Sequence, residues 1–405
     1  MFYNNIALKR IKENTSFTLF LISQGISNLA EAFHFIAIVS LLIKITGKGT
    51  SASFTVICTP ISSFLLSPFA GSLGDRFNEK YVLIIISFLK AVTMLLFISN
   101  YNIWSIYILM LILAVLEILY SPSKKKIVAN LLDSGNLMIG NSILLGIWGL
   151  GFIVGPIAAG IIIELWGVNT IFLLDGFLNF LSGIILFFIK INSYQNSTKK
   201  KKINFKSNVY KDIDMGFEYF RSKPSIRKLV FINTITSLAI ASINIAFYSF
   251  AFDVLKVTSK NWGIMMSAFY GANLLAMIIS VYLNNIIQKM DLLFIYLTII
   301  MVSIIWFLYS ISNNLIVVII LQITEGMFIS LLTIVINTKL QIITNKDFLA
   351  RVTAINDIFN NIGKLFSVGL TYFILQFQSS RIIFMMNFII FILYGIYKLF
   401  FKYTL

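Results

Sequence analysis

Gly71-Ser72-Leu73-Gly74-Asp75-Arg76-Phe77-Asn78-Glu79-Lys80 separates two long apolar runs. Gly71 and Gly74 permit a tight turn and close backbone approach, while Asp75, Arg76 and Lys80 cluster charge at a helix end. Ten residues of this kind between apolar stretches 52–70 and 81–99 read as a short connection between two membrane helices. An acidic group there can cap a facing helix N-terminus and latch one conformation. The plainer alternative is an ordinary charged turn.

The rest of the chain repeats the pattern. Of 405 residues, 58% are hydrophobic, 15% aromatic and 12% charged, against about 45–50% apolar and about 25% charged in soluble domains. A span needs about 20 mostly apolar residues. Besides the two already given, candidates run over 16–43, 102–121, 138–163, 168–190, 226–252, 261–288, 292–311, 315–337, 353–376 and 379–400, twelve in all. The expected fold class is therefore an all-α polytopic membrane protein with twelve transmembrane helices. The first run is too long for a signal peptide and carries Glu31 and His34, so it reads as a helix that is kept. A single cysteine (Cys58) and a single histidine (His34) supply neither a disulfide framework nor a Cys/His metal site. No cofactor or metal is expected.

Net charge is +16, and its distribution explains it. With the termini and alternate loops on one side, twenty-five Lys and Arg fall there and five opposite, with Lys90 and Lys364 inside spans. The positive-inside rule then makes both termini cytoplasmic, in the plasma membrane. Scattered loop cations without a reading module exclude nucleic acid as partner. Residues 191–225 are polar and basic, with Lys199-Lys200-Lys201-Lys202, and divide the chain into a six-span bundle 1–190, a cytoplasmic linker 191–225 and a second six-span bundle 226–405. Val209, Ile213, Phe217 and Phe220 recur at helical spacing opposite Asp212, Asp214 and Glu218, predicting a short amphipathic surface helix near membrane lipids. Asn196-Ser197-Thr198 matches a glycosylation sequon that a cytoplasmic location would leave unused.

Span five holds Gly149-Leu150-Gly151-Phe152-Ile153-Val154-Gly155-Pro156-Ile157-Ala158-Ala159-Gly160. Gly151 and Gly155 form a G-x-x-x-G pair that lets helices approach closely, and Pro156 removes a backbone donor. Simple packing would account for this much. Taken with 71–80, however, the chain resembles the major facilitator superfamily: the loop fits its G-x-L-x-D-R-x-x-x-K/R pattern, and span five is similar to the antiporter motif of its drug exporters. Residues 122–141, Phe172 to Phe180 and the linker from Asp212 to Pro224 resemble the macrolide-efflux and enterobactin-exporter branch of the drug:proton antiporters. The likeness covers most of 15–235; the second half matches in layout and in Ala350-Arg351-Val352. Departures are also plain. The loop Asn284 to Asp291 lacks the glycines and the Asp-Arg pair, and span four lacks the membrane arginine common in such exporters. The resemblance implies two pseudo-symmetric six-helix bundles, a monomer, and a cavity lined by spans one, four, seven and ten.

Ionisable groups within spans are functional by default; here they are Glu31, His34, Lys90, Glu117, Asp175, Glu325 and Lys364. Glu31, with Asn28 and His34 three residues either side, is the first candidate to carry a coupling proton. Its alternative is a structural hydrogen bond to a neighbouring helix. Glu325 is the second candidate, and His34 is either a relay or a packing residue. Glu117 reads as a gate or cavity residue, Asp175 and Lys90 as structural. Asn233, Asn244, Tyr248 and Gln322 are softer cavity candidates. The expected function is proton-coupled export of amphipathic drugs such as macrolides, with a siderophore or peptide metabolite as the alternative cargo. No phosphate-binding loop supports an ATP-driven pump. No converging nucleophile and base supports an enzyme. A lipid scramblase or a non-transporting sensor remains the reading from a different class.

Overall fold

The computed structural model describes residues 14–76, 78–98, 102–132, 136–190, 215–290, 292–345 and 348–400. Among the described residues, twelve long helices follow one another: α1 (Thr15–Thr46), α2 (Phe54–Arg76), α3 (Glu79–Phe97), α4 (Ile103–Leu131), α5 (Leu137–Trp166), α6 (Val168–Phe187), α7 (Pro224–Ser249), α8 (Ser259–Met290), α9 (Leu292–Ile311), α10 (Leu315–Ile343), α11 (Leu349–Leu375) and α12 (Ser380–Phe400). Among the described residues, eleven segments are long and apolar enough to cross a membrane by length and composition.

Asparagine marks several starts. Asn14, Asn78, Asn102 and Asn314 each accept a hydrogen bond from a backbone N–H of the following helix, at 2.8–3.0 Å, satisfying donors that a helix leaves open. Gly47 ends α1 in the left-handed conformation (φ 68°), its N–H on Ile43 O at 2.8 Å. At the end of α7, Phe250–Val254 forms a π-helical turn, with Leu255 N–H on Phe250 O at 2.9 Å.

Helices outrun the apolar windows at polar ends. Span four was expected to stop at 121, yet α4 continues through Pro122 to Leu131 and carries Lys124 to Lys126 on helix rather than loop. Polarity marks where apolar surroundings end, whereas the backbone ladder can continue into water. Gly71 and Gly74, expected in a turn, likewise belong to the last turns of α2, which runs to Arg76 before α3 starts at Glu79. The expected loop 284–290 is helical to Met290. The Asp75 and Arg76 side chains, the lysine run and residues 209–214 of the expected amphipathic helix lie outside the described part; 215–222 is helical.

The chain divides into two compact units: Met1–Asn196 with Val257–Tyr270, and Ser197–Lys256 with Gly271–Leu405. In the first, α1 packs on α5 and α6, α3 on α6, and α2 and α3 on α4. In the second, α7 packs on α11 and α12, and α9 on α12 and α10. Adding six to the helix number converts the α1–α5, α1–α6, α3–α6 and α3–α4 pairings into those of the second unit. Polar side chains pin both sets. Ser23 Oγ lies 2.8 Å from Ser182 Oγ between α1 and α6. Ser242 Oγ lies 2.8 Å from Thr371 Oγ1 between α7 and α11 and accepts from Asn387 Nδ2 of α12 at 3.2 Å.

Candidate functional site

A cavity of about 290 Å³ opens inside the first unit, lined by α1 to α5 and the first turns of α8. One part of its wall is charged: Glu31 and His34 from α1, Lys90 from α3 and Glu117 from α4. Another is aromatic: Phe35, Trp148, Phe152 and Tyr270. The Trp148 and Phe152 rings are 4.9 Å apart, and Tyr270 sits 4.8 Å from Phe152 and edge-on to Trp148 at 6.1 Å.

Helix spacing assembles the charged wall. Glu31 and His34, one turn apart on α1, share a face. Lys90 donates to Glu117 across α3 and α4, and its ammonium stands 4.7 Å over the Tyr120 ring. The Tyr120 hydroxyl accepts from Gln24 Nε2 at 2.6 Å, tying α4 to α1. His34 Nδ1 lies 2.9 Å from Asp175 Oδ2 of α6. The other oxygen of that carboxylate accepts from Asn179 Nδ2 at 2.5 Å. Asp175 is fully buried and His34 22% exposed, so the histidine reaches the cavity from an anchored base. The Lys90–Glu117 pair is different, because the Glu117 side chain is 48% exposed and accessible from the cavity.

The structure thus brings Glu31, His34 and Glu117 together and adds Lys90, which sequence reasoning had taken as structural. The signal was available: a lysine inside a span needs a carboxylate, and few exist in the first half. Cys58 and Tyr270 also line the cavity without having been singled out. Asn28 is buried on α1 behind Gly151, its Nδ2 without a hydrogen-bond partner.

Glu325 lies in the second unit. It is 4% exposed, and its oxygens accept from Trp306 Nε1 at 2.8 Å and the Tyr309 hydroxyl at 2.9 Å, both on α9. Asn233 donates to Asn356 Oδ1 at 2.9 Å. Tyr248 is buried, Asn244 exposed, and buried Gln322 keeps Oε1 unpaired. Lys364 lies on α11.

The two motif stretches serve as fasteners. Lys80 Nζ donates to Phe187 O and Ile189 O at 2.7 and 2.8 Å, a cation on the C-terminus of α6. Glu79, buried, accepts from Asn130 and pairs with Lys126 at 3.1 Å on the extension of α4. In α5, a Cβ on Gly155 would stand 2.5 Å from Ala32 Cβ of α1, and one on Gly160 2.6 Å from Ser259 O. Gly263 of α8, which the sequence reading missed, sits so close that a Cβ would be 2.1 Å from Pro156 O. Among the described residues, no three His, Cys, Asp or Glu side chains converge on a possible metal position.

The model of the Major Facilitator Superfamily matches residues 20–258 and again 229–404. The chain belongs to the Major Facilitator Superfamily. It is a multi-pass membrane transporter rather than an enzyme. This facilitator is 23% identical over 205 residues to the uncharacterized MFS-type transporter YfiS and 24% over 261 residues to YfmI, both of Bacillus subtilis (strain 168). The aligned parts cover 50% and 62% of this chain, and 49% and 63% of those relatives. The multidrug resistance protein MdtG of Salmonella arizonae is 26% identical over 148 residues, 36% of each chain. Among solved structures, the nucleoside transporter NupG superposes with a TM-score of 0.72 at 13% identity, covering 96% of this facilitator and 100% of NupG. The POT family transporter PepTSo gives 0.71 at 10%, covering 94% and 96%. At such identities these likenesses show the fold alone.

Proposed function

We propose that this facilitator is a proton-coupled exporter of amphipathic drugs such as macrolides, working by alternating access in the plasma membrane with its termini in the cytoplasm. The observation that carries the reading is the cavity in which Glu31, His34 and the Lys90–Glu117 pair face an aromatic wall of Phe35, Trp148, Phe152 and Tyr270. Such a wall suits a bulky apolar body, with a few polar anchors to orient it. Glu31 carries the proton, and a cationic or polar cargo group competes with that proton for the carboxylates. The similarity to MdtG, a multidrug resistance protein by name, supports the same class of cargo.

The test is purified protein in liposomes with an imposed pH gradient and an internal pH dye. Macrolides, lipophilic cations and catecholate siderophores are added in turn. Proton flux is expected with macrolides or lipophilic cations and absent in Glu31→Gln. Flux with siderophores alone would replace the cargo assignment. Coupling undiminished in Glu31→Gln would remove Glu31 from the mechanism and turn attention to Glu325.

A further inference from the structure

The second unit carries a groove unrelated to the charged cavity. It has a volume of about 470 Å³, lies where the linker helix 215–222 meets the start of α7, and is lined by Phe220, Pro224, Val230, Phe231, Thr234 and Phe359 with Arg227 and Lys228. Phe220 stacks on Phe359 of α11 at 5.8 Å, and the adjacent Tyr219 stacks on Phe348 at 4.2 Å and accepts from Asn345 N–H at 3.1 Å. Gly216 lies against the Arg351 side chain. These contacts seat the linker helix on α11, and the groove is the space left beside it.

We propose that this groove holds one anionic phospholipid, with its phosphate on Arg227 and Lys228 and an acyl chain along Phe231 and Phe359. Three observations carry the assignment. Arg227 and Phe231 are four residues apart on α7, so the cation stands one turn nearer the helix start on the same face as the aromatic ring. That order, charge first and apolar surface deeper, is the order of a phospholipid entering from the end where the span Pro224–Val254 begins. Phe231 is 59% and Phe359 36% exposed, leaving the apolar side of the groove open on the flank of the unit. Finally, Arg221, Lys223, Arg227 and Lys228 fall within eight residues, and the stretch 219–228 holds no Asp or Glu, which favours a negative headgroup over a zwitterionic one.

Delipidated full-length protein, titrated with phosphatidylglycerol or with phosphatidylcholine of the same chains and read by native mass spectrometry, tests this. Phosphatidylglycerol should be retained about 10- to 30-fold more strongly, the effect of two cations near a headgroup. Arg227→Gln with Lys228→Gln should abolish that preference, Arg227→Lys should keep it, and Phe231→Ala should weaken retention of both lipids. Lys48→Gln, at the other end of the spans, should change nothing. Glycerol phosphate, a headgroup without chains, should fail to compete. Equal retention of the two lipids, an unchanged preference in the double glutamine variant, or full competition by glycerol phosphate would each overturn the proposal.

Discussion

Two ion pairs of the first unit differ in what they hold. Asp175 is fully buried and accepts from both His34 and Asn179, so Asp175→Ala orphans His34 Nδ1 and leaves Asn179 Nδ2 with only the main-chain oxygen of residue 175. An orphaned group costs about 1–3 kcal/mol, and thermal unfolding in detergent should report a clear loss of stability. Lys90→Met removes a partner from a carboxylate that is 48% exposed, and solvent screening limits the cost to about 1 kcal/mol. That variant should melt close to wild type while losing substrate-dependent proton flux in the liposome assay. A large stability loss in Lys90→Met together with wild-type melting of Asp175→Ala would reverse the assignment of anchor and working pair. In the second unit, Tyr309→Phe deprives the buried Glu325 of one of its two donors, and melting should fall by about 1–3 kcal/mol.

Among the helices, α5 is held in part by close backbone approach. A methyl on Gly263 would stand 2.1 Å from Pro156 O, whereas one on Gly146 would meet nothing within 4 Å. Gly263→Ala should therefore destabilise by about 1–3 kcal/mol through overpacking. Gly146→Ala should be neutral or stabilising by up to about 1 kcal/mol, because alanine is the better helix former. Equal melting of the two variants would remove the close contact from the account. The same elements show what the sequence made legible. Spans could be read because about 20 apolar residues in a row have one physical use, and Gly151, Gly155 and Pro156 announced a close helix contact. Helix ends could not be placed, since polarity marks the limit of apolar surroundings and α4 runs on to Leu131 regardless. Nor could partners: His34 and Asp175 are 141 residues apart, and no periodicity states which face of α6 meets which face of α1. Gly263 was invisible for the same reason, its role residing in Pro156 on another helix.

For the molecule as a whole, the excess of Lys and Arg on alternate loops predicts an orientation that chemical labelling can test. Cys58 is the chain's one cysteine and is 3% exposed, so Cys58→Ser gives a background free of thiols. On it, Ser197→Cys in the linker should react with a membrane-impermeant maleimide only after the membrane is opened, and Lys48→Cys should react in intact cells. The opposite result would invert the topology. The four helix pairings that recur in the second unit describe one packing plan used twice. Similar scaffolds in NupG and PepTSo carry that plan with little sequence in common, which is why cargo must be argued from the cavity wall and not from the fold.

The π-helical turn Phe250–Val254 at the end of α7 bears on how this chain tolerates changes of length. Such a turn stores one residue more than an α-helix of the same span. Deleting a single residue there lets the ladder close as ordinary α-helix and leaves everything before it in register. Deleting one at Ala241 instead would rotate the following positions by about 100° and carry Ser242 away from Thr371 and Asn387. Insertions and deletions in α7 should therefore be accepted at its last turn and rejected at its centre, an asymmetry that a single-codon deletion scan read by expression in the membrane would reveal.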